Sequence, residues 1–111
     1  MNRVLAGFLW LALITAPAFA ARFTADDVVR IVRVSDPQIA PDGKSIAIVV
    51  AYPNLKTDKY DAELVLVDIA THSRRVLTYG RLVKGYPRWS PTGDRLAYIA
   101  EDSDKKAQVF V

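Results

Sequence analysis

The chain has 111 residues, 51% of them hydrophobic and 24% charged, with 15 Lys and Arg against 12 Asp and Glu. That balance excludes a disordered, collagen-like or acidic-tail protein and limits the chain to one ordinary domain. With the first twenty residues and their single charge, Arg3, set aside, 14 basic side chains face 12 acidic ones, too small an excess to argue for nucleic acid or an anionic membrane as partner.

Residues 1–20 read as a signal peptide. Met1-Asn2-Arg3 gives a short positive start, Val4 to Thr15 is an uncharged apolar run, and Ala18-Phe19-Ala20 sets small residues around a bulky one. Pro17 and the modest length of the uncharged stretch argue against a transmembrane anchor. Cleavage is expected between Ala20 and Ala21, leaving 91 residues with no stable membrane anchor and a periplasmic or secreted location. The sequence contains no cysteine, so stability must come from packing and not from disulfides.

Phe23-Thr24-Ala25-Asp26-Asp27-Val28 has the form of a helix start. Thr24 is placed to cap the free amides, Asp27 lies near the positive end, and Phe23 and Val28 are spaced as a hydrophobic staple. A helix is therefore predicted over Ala25–Val34, although its β-branched residues also suit a strand. Ser35-Asp36-Pro37 is expected to close it, because a residue before proline is pushed out of the helical region.

Short strands follow, and they contain an internal echo. Pro37-Gln38-Ile39-Ala40-Pro41-Asp42-Gly43 returns fifty residues later as Pro87-Arg88-Trp89-Ser90-Pro91-Thr92-Gly93, and Ser45 to Val50 returns as Arg95 to Ala100. Ala40-Pro41-Asp42-Gly43 and Ser90-Pro91-Thr92-Gly93 each put proline where φ near −65° is wanted and glycine where φ turns positive, the pattern of a type I turn with a glycine bulge. The strand after the first turn is apolar on both faces, Ile46 and Ile48 on one and Ala47 and Val49 on the other, so it should be covered above and below. A loop is predicted over Ala51–Asp61, with Tyr52-Pro53-Asn54 as breaker. Glu63 to Asp68 reads as a third strand, Ala70 to Ser73 as a turn, and Arg74 to Thr78 as an outer strand whose arginines discourage edge pairing. Gln108 to Val111 matches the start of the third strand in the second copy.

Repeats of about 45 to 50 residues with four short antiparallel strands are the blades of a β-propeller, which typically has four to eight. The fold class is thus all-β: a partial propeller of about one and three-quarter four-stranded blades, preceded by a signal peptide and a short helix. The expected division is 1–20 signal peptide, 21–36 helix and lead-in, and 37–111 propeller fragment, with blade one at 37–85 and an incomplete blade two at 86–111. Blades cover one another, so a fragment is expected to leave Ile46, Val49, Trp89, Leu96 and Ile99 poorly shielded.

These motifs resemble the amino-terminal propeller of the prolyl oligopeptidase family of serine peptidases, particularly its exported dipeptidyl or acylaminoacyl peptidase-like members. The resemblance runs from Phe23 to Val111 and rests on Phe23-Thr24, Asp36-Pro37-Gln38-Ile39, Pro41-Asp42-Gly43-Lys44, Leu64 to Asp68 before Leu77-Thr78, and Pro87-Arg88-Trp89-Ser90-Pro91. It implies a propeller that restricts which peptides reach a separate α/β-hydrolase domain. The implied partners are the remaining blades, that hydrolase domain in the same polypeptide, and peptide substrates of the whole protein. The turn is shared with TolB-like periplasmic propellers, so a protein-binding module without enzymatic activity is the alternative.

No residue is assigned a catalytic, cofactor-binding or metal-ligating role. Serine-peptidase chemistry needs a Ser on a strained elbow, a His and an Asp, and no Gly-x-Ser-x-Gly is present. This chain alone is therefore expected to be inactive and to need no cofactor. His72, the single histidine, falls in a predicted turn, where it tolerates a left-handed backbone. Glu101-Asp102-Ser103-Asp104 lacks the spacing of a Ca²⁺ loop and reads as a solvated loop. Asp26 and Asp27 belong to a first helical turn. Trp89, Tyr86 and Tyr98 read as packing groups and not as a stacking platform. Arg81, Lys84 and Arg88 are too few to bind nucleic acid.

Overall fold

A computed structural model describes residues 21–111. The predicted signal peptide and Ala20 lie outside the described residues. Ala21, on the other side of the expected cleavage point, is exposed and outside any helix or strand.

After a single short helix, α1 (Ala25–Val28), the regular elements of the described chain are all β-strands, arranged as two antiparallel sheets. The first sheet contains β1 (Arg33–Ile39), β2 (Ser45–Asn54), β3 (Lys59–Asp68) and β4 (Arg74–Val76) in that spatial order. The second contains β5 (Val83–Trp89), β6 (Leu96–Glu101) and β7 (Ala107–Phe110), again in order. Sequential order in space follows from the tight hairpins, which force neighbours in sequence to be neighbours in the sheet.

Both echoed hairpins form as their sequences require. Gly43 donates its N–H to Ala40 O at 2.9 Å with φ +72°, and Gly93 donates to Ser90 O at 2.9 Å with φ +75°. The two turns also meet: a Cβ added to Gly93 would lie 3.2 Å from Pro41 Cδ. The two echoed turns thus lie against each other, so the repeat is spatial as well as sequential.

The helix is shorter than the cap suggested. Arg33 and Val34, expected within or at the end of a helix, instead pair with Ala51 and Val50 in the sheet. The β-branched run loses less rotamer freedom there, and each residue gains a cross-strand neighbour. The first strand consequently starts at Arg33 and not after Asp36. Asp27 supplies the cap more than Thr24 does, its carboxylate accepting from the Thr24 N–H at 2.7 Å and from the Thr24 hydroxyl at 2.8 Å. Phe23 is exposed, without the cover a staple would provide.

The predicted Ala51–Asp61 loop is largely strand. β2 and β3 remain in continuous register down to Asn54 opposite Lys59, leaving a four-residue connection, Leu55 to Asp58. Pro53 is accommodated because β1 stops pairing at Ala51. Beyond that point β2 has a sheet neighbour only on its β3 side, the edge condition that proline tolerates.

The core lies between the two sheets. Ala47, Val49 and Leu64 from the first sheet meet Val83 from the second, flanked by Leu66, Leu77, Trp89, Leu96 and Tyr98. The expectation that Val49, Trp89 and Leu96 lack cover is therefore corrected, since each sheet shields the other's facing side. Exposure falls instead on Ile39 and Val34, each 63% accessible, and on Val109, 68% accessible. Ile39 is thus no core residue, although Trp89, its echo, is half-buried.

Candidate functional site at the meeting of the first strands

The sheets touch where their leading strands run together, and the contact is built from an irregularity common to both. β1 changes register between Ser35 and Gln38, and β5 does so between Gly85 and Arg88. At these bulges Asp36 has φ +49° and Tyr86 has φ +60°. The two residues are fifty positions apart, so each repeat holds a non-glycine residue in the left-handed region at the same place.

The bulges interlock. Tyr86 donates its N–H to Asp36 Oδ2 at 3.4 Å. Gly85 makes room for that carboxylate, because a Cβ there would stand 2.8 Å from the same oxygen. A second tie lies two residues further along, where Trp89 Nε1–H donates to Gln38 O at 3.0 Å. Asp36 and Tyr86 are both exposed on this edge, one on each of the two leading strands. Polar and stacking contacts to an extended chain are the chemistry that such a pair provides.

The other residues weighed from sequence are scattered over the surface. His72 has φ +58° and donates its N–H to Asp68 O at 2.9 Å, a turn role. Hydrogen bonds from the Thr71 N–H and hydroxyl hold the Asp68 carboxyl below its usual range. Asp102 Oδ1 accepts from the N–H groups of Asp104 and Lys106, each at 2.9 Å, shaping the β6–β7 turn. Glu101, next to it, pairs with Lys84 at 2.6 Å. Arg81 lies over the Phe110 ring at 4.0 Å, and Arg88 donates to Pro87 O at 2.7 Å, so the three basic residues do not converge on one ligand. Tyr98 stacks on Phe110 with centroids 5.8 Å apart. Among the described residues, no group of three or more His, Cys, Asp or Glu is placed to hold a metal ion. Nor is any described helix long and apolar enough to cross a membrane.

Tyr86, expected to be a packing group, is instead 61% exposed because it sits on the bulge; Asp36 is expected only at the close of the helix, and Gly85 carries no expectation from sequence. Their signal was present, since Asp36 and Tyr86 each precede the echoed proline, but nothing local marks either residue as bulged.

Comparison with known proteins supplies the biochemical context. The chain is 38% identical over 88 residues, 79% of its length, to a Bacillus subtilis protein named Uncharacterized peptidase YuxL. It is 31% identical over 70 residues to Dipeptidyl-peptidase 5 of Porphyromonas gingivalis and 24% identical over 114 residues to Dipeptidyl-peptidase 5 of Porphyromonas endodontalis. The chain is related to peptidases. It spans 13%, 10% and 16% of the lengths of these three proteins, and covers 63% and 89% of itself in the two latter matches. No protein-family model matches it.

Proposed function

We propose that this chain is the opening part of the propeller of an exported serine peptidase of the prolyl oligopeptidase type, and that it governs which peptides reach a separate hydrolase domain. The pairing of a two-sheet repeat with peptidase-named relatives carries this reading and favours it over a TolB-like binding module. The proposed portion contributes access and not bond cleavage. The chain's single histidine, His72, lies in a turn in which its backbone N–H donates to Asp68 O, whereas cleavage of this class needs a His base between a Ser and an Asp. In this reading the exposed Asp36 and Tyr86 edge contacts the entering peptide, and residues 1–20 direct the protein to the periplasm or outside.

The test compares this chain with the longer polypeptide that the reading requires, using dipeptidyl and aminoacyl chromogenic substrates alongside longer peptides. The longer polypeptide is expected to turn over the short substrates and to be blocked by a serine-directed phosphonate, while this chain is inert. Asp36→Ala or Tyr86→Ala in the longer polypeptide should alter kcat/KM for long peptides more than for dipeptidyl substrates. Phosphonate-sensitive turnover by this chain, or equal effects on short and long substrates, would refute the proposal.

A further inference from the structure

Further repeats of the same polypeptide would cover the faces of the two sheets, but stacked repeats leave the ends of their strands uncovered. The two ends can be told apart. β1 and β5 run side by side in the same direction, as the Asp36–Tyr86 and Gln38–Trp89 bonds show, and the Pro41 and Gly93 turns share one end. The residues before Arg33, the β2–β3 hairpin tip and the link from β4 to β5 lie at the other end, because Arg33 pairs with Ala51 and the hairpin continues beyond it to Asn54 opposite Lys59.

The ends differ in chemistry. At the turn end, hydroxyls and carboxylates bond one another: the Thr71 hydroxyl donates to Asp68 Oδ1 at 2.9 Å, and the Ser90 hydroxyl to Asp94 Oδ1 at 2.8 Å. The opposite end presents Phe23, Leu55 and Tyr79, each at least 72% accessible. Single exposed apolar residues are ordinary, but three large ones from three separate segments at one end mark a surface made to be covered.

Leu55 is held in place there. Asn54 Oδ1 accepts the Lys56 N–H at 3.0 Å, and Asn54 Nδ2 donates to Asp61 Oδ2 at 2.6 Å, so one side chain braces both strands of the tip. Beside it Val28 and Val29 at the end of α1, together with Pro53, Tyr60, Asp58 and Lys59, line a pocket of about 180 Å³, and Arg33 lies over the Tyr60 ring at 3.9 Å. An apolar knob braced next to a largely apolar hollow loses little freedom when a partner arrives.

We propose that this end is where the propeller seats on the hydrolase domain of the same polypeptide, with Leu55 as the anchor and the neighbouring pocket taking an apolar side chain in return. This seat presupposes the peptidase reading, which supplies the second domain. The chain accounts for 10–16% of the lengths of its peptidase-named relatives, so most of such a polypeptide lies outside it. An apolar surface suits a permanent neighbour, whereas a peptide passing in extended form needs polar partners for its backbone.

Amine-reactive crosslinking of the longer polypeptide, read by peptide mass spectrometry, tests this. Lys56 and Lys59 lie at the proposed seat and Lys44 at the turn end, and all three are exposed. Lys56 and Lys59 are expected to link to lysines of the hydrolase domain within one copy, and Lys44 is not; mixing light and heavy-isotope protein separates links within a copy from links between copies. Leu55→Asp should weaken docking by about tenfold and deplete those links, with single-ended labelling of Lys56 and the circular dichroism spectrum unchanged, and Phe23→Asp takes its place if it unfolds. Ile69→Asp, at the turn end, should leave the links as in wild type. Hydrolase links from Lys44 instead, from neither end, or only between copies, or links that survive Leu55→Asp, overturn the seat, while phosphonate-sensitive turnover by the same preparation leaves the peptidase reading standing. Absence of that turnover overturns both.

Discussion

Thr78 holds the end of the core, and replacing its hydroxyl gives a well-defined perturbation. The residue is 4% exposed, and its Oγ1 accepts the Leu64 N–H at 3.0 Å just beyond the end of β4. The adjacent Leu77 donates to Leu64 O at 2.8 Å, so residues 77 and 78 together complete the backbone bonding of the most deeply buried leucine. Thr78→Val keeps the shape and orphans that amide, which costs about 1–3 kcal/mol. Exchanging a hydroxyl for a methyl group in an apolar site returns at most about 0.8 kcal/mol. With that return in full the net loss is about 0.2–2 kcal/mol, or a Tm lower by about 1–16 °C for a domain of this size. Thr78→Ser separates the terms, because it retains the acceptor and removes only a methyl group, at about 1 kcal/mol. Urea unfolding gives the stabilities, and hydrogen exchange of the Leu64 amide reports the bond itself. Exchange should accelerate in the valine variant beyond the global loss and should follow the global loss in the serine variant. A valine variant as stable as wild type, with an equally protected Leu64 amide, would show that the hydroxyl does not support this strand.

Three further outcomes follow from the geometry. Gly43→Ala and Gly93→Ala both force a side chain into a positive φ, at about 1 kcal/mol each, but only at Gly93 does the new Cβ press on Pro41, so its melting temperature should fall further. Trp89→Phe removes the donor to Gln38 O between the sheets and should lower stability by about 0.5–1.5 kcal/mol in denaturant titration, with the secondary structure retained by circular dichroism. Asp27, Asp68 and Asp94 are held below the usual carboxylate range by hydrogen bonds, principally from Thr24, Thr71 and Thr92. Because their folded pKa values lie below the unfolded ones, their contribution is present above about pH 4 and disappears as pH falls through the folded values. Melts across that range should show an acid limb that Asp68→Asn flattens.

Much of the architecture was legible because it is local. The Pro-x-Gly turns set their own backbone angles, and the alternation of Ile46, Ala47, Ile48 and Val49 assigned the two faces of β2 before any neighbour was known. His72 in a turn follows from the same local chemistry. The misreadings occurred where long-range pairing outweighed a local signal. Thr24 and Asp27 announced a helix, but four residues were all that remained once Arg33 and Val34 had partners in β2. Tyr52-Pro53-Asn54 resembled a breaker, yet β3 runs alongside to Lys59 and holds the segment extended.

The sequence by itself determined the repeat, the all-β character and the position of each hairpin, since these depend on φ preferences and a two-residue period. Only tertiary structure decided which apolar faces are covered. Leu64 pairs with Val49 and Val109 with the echoed Ile99, so the two occupy one site in the repeat, yet Leu64 is buried under the second sheet and Val109 is exposed. Only the fold, likewise, turned Asp36 and Tyr86 into an interlocked edge, because a bulge is stabilised by a neighbour fifty residues away.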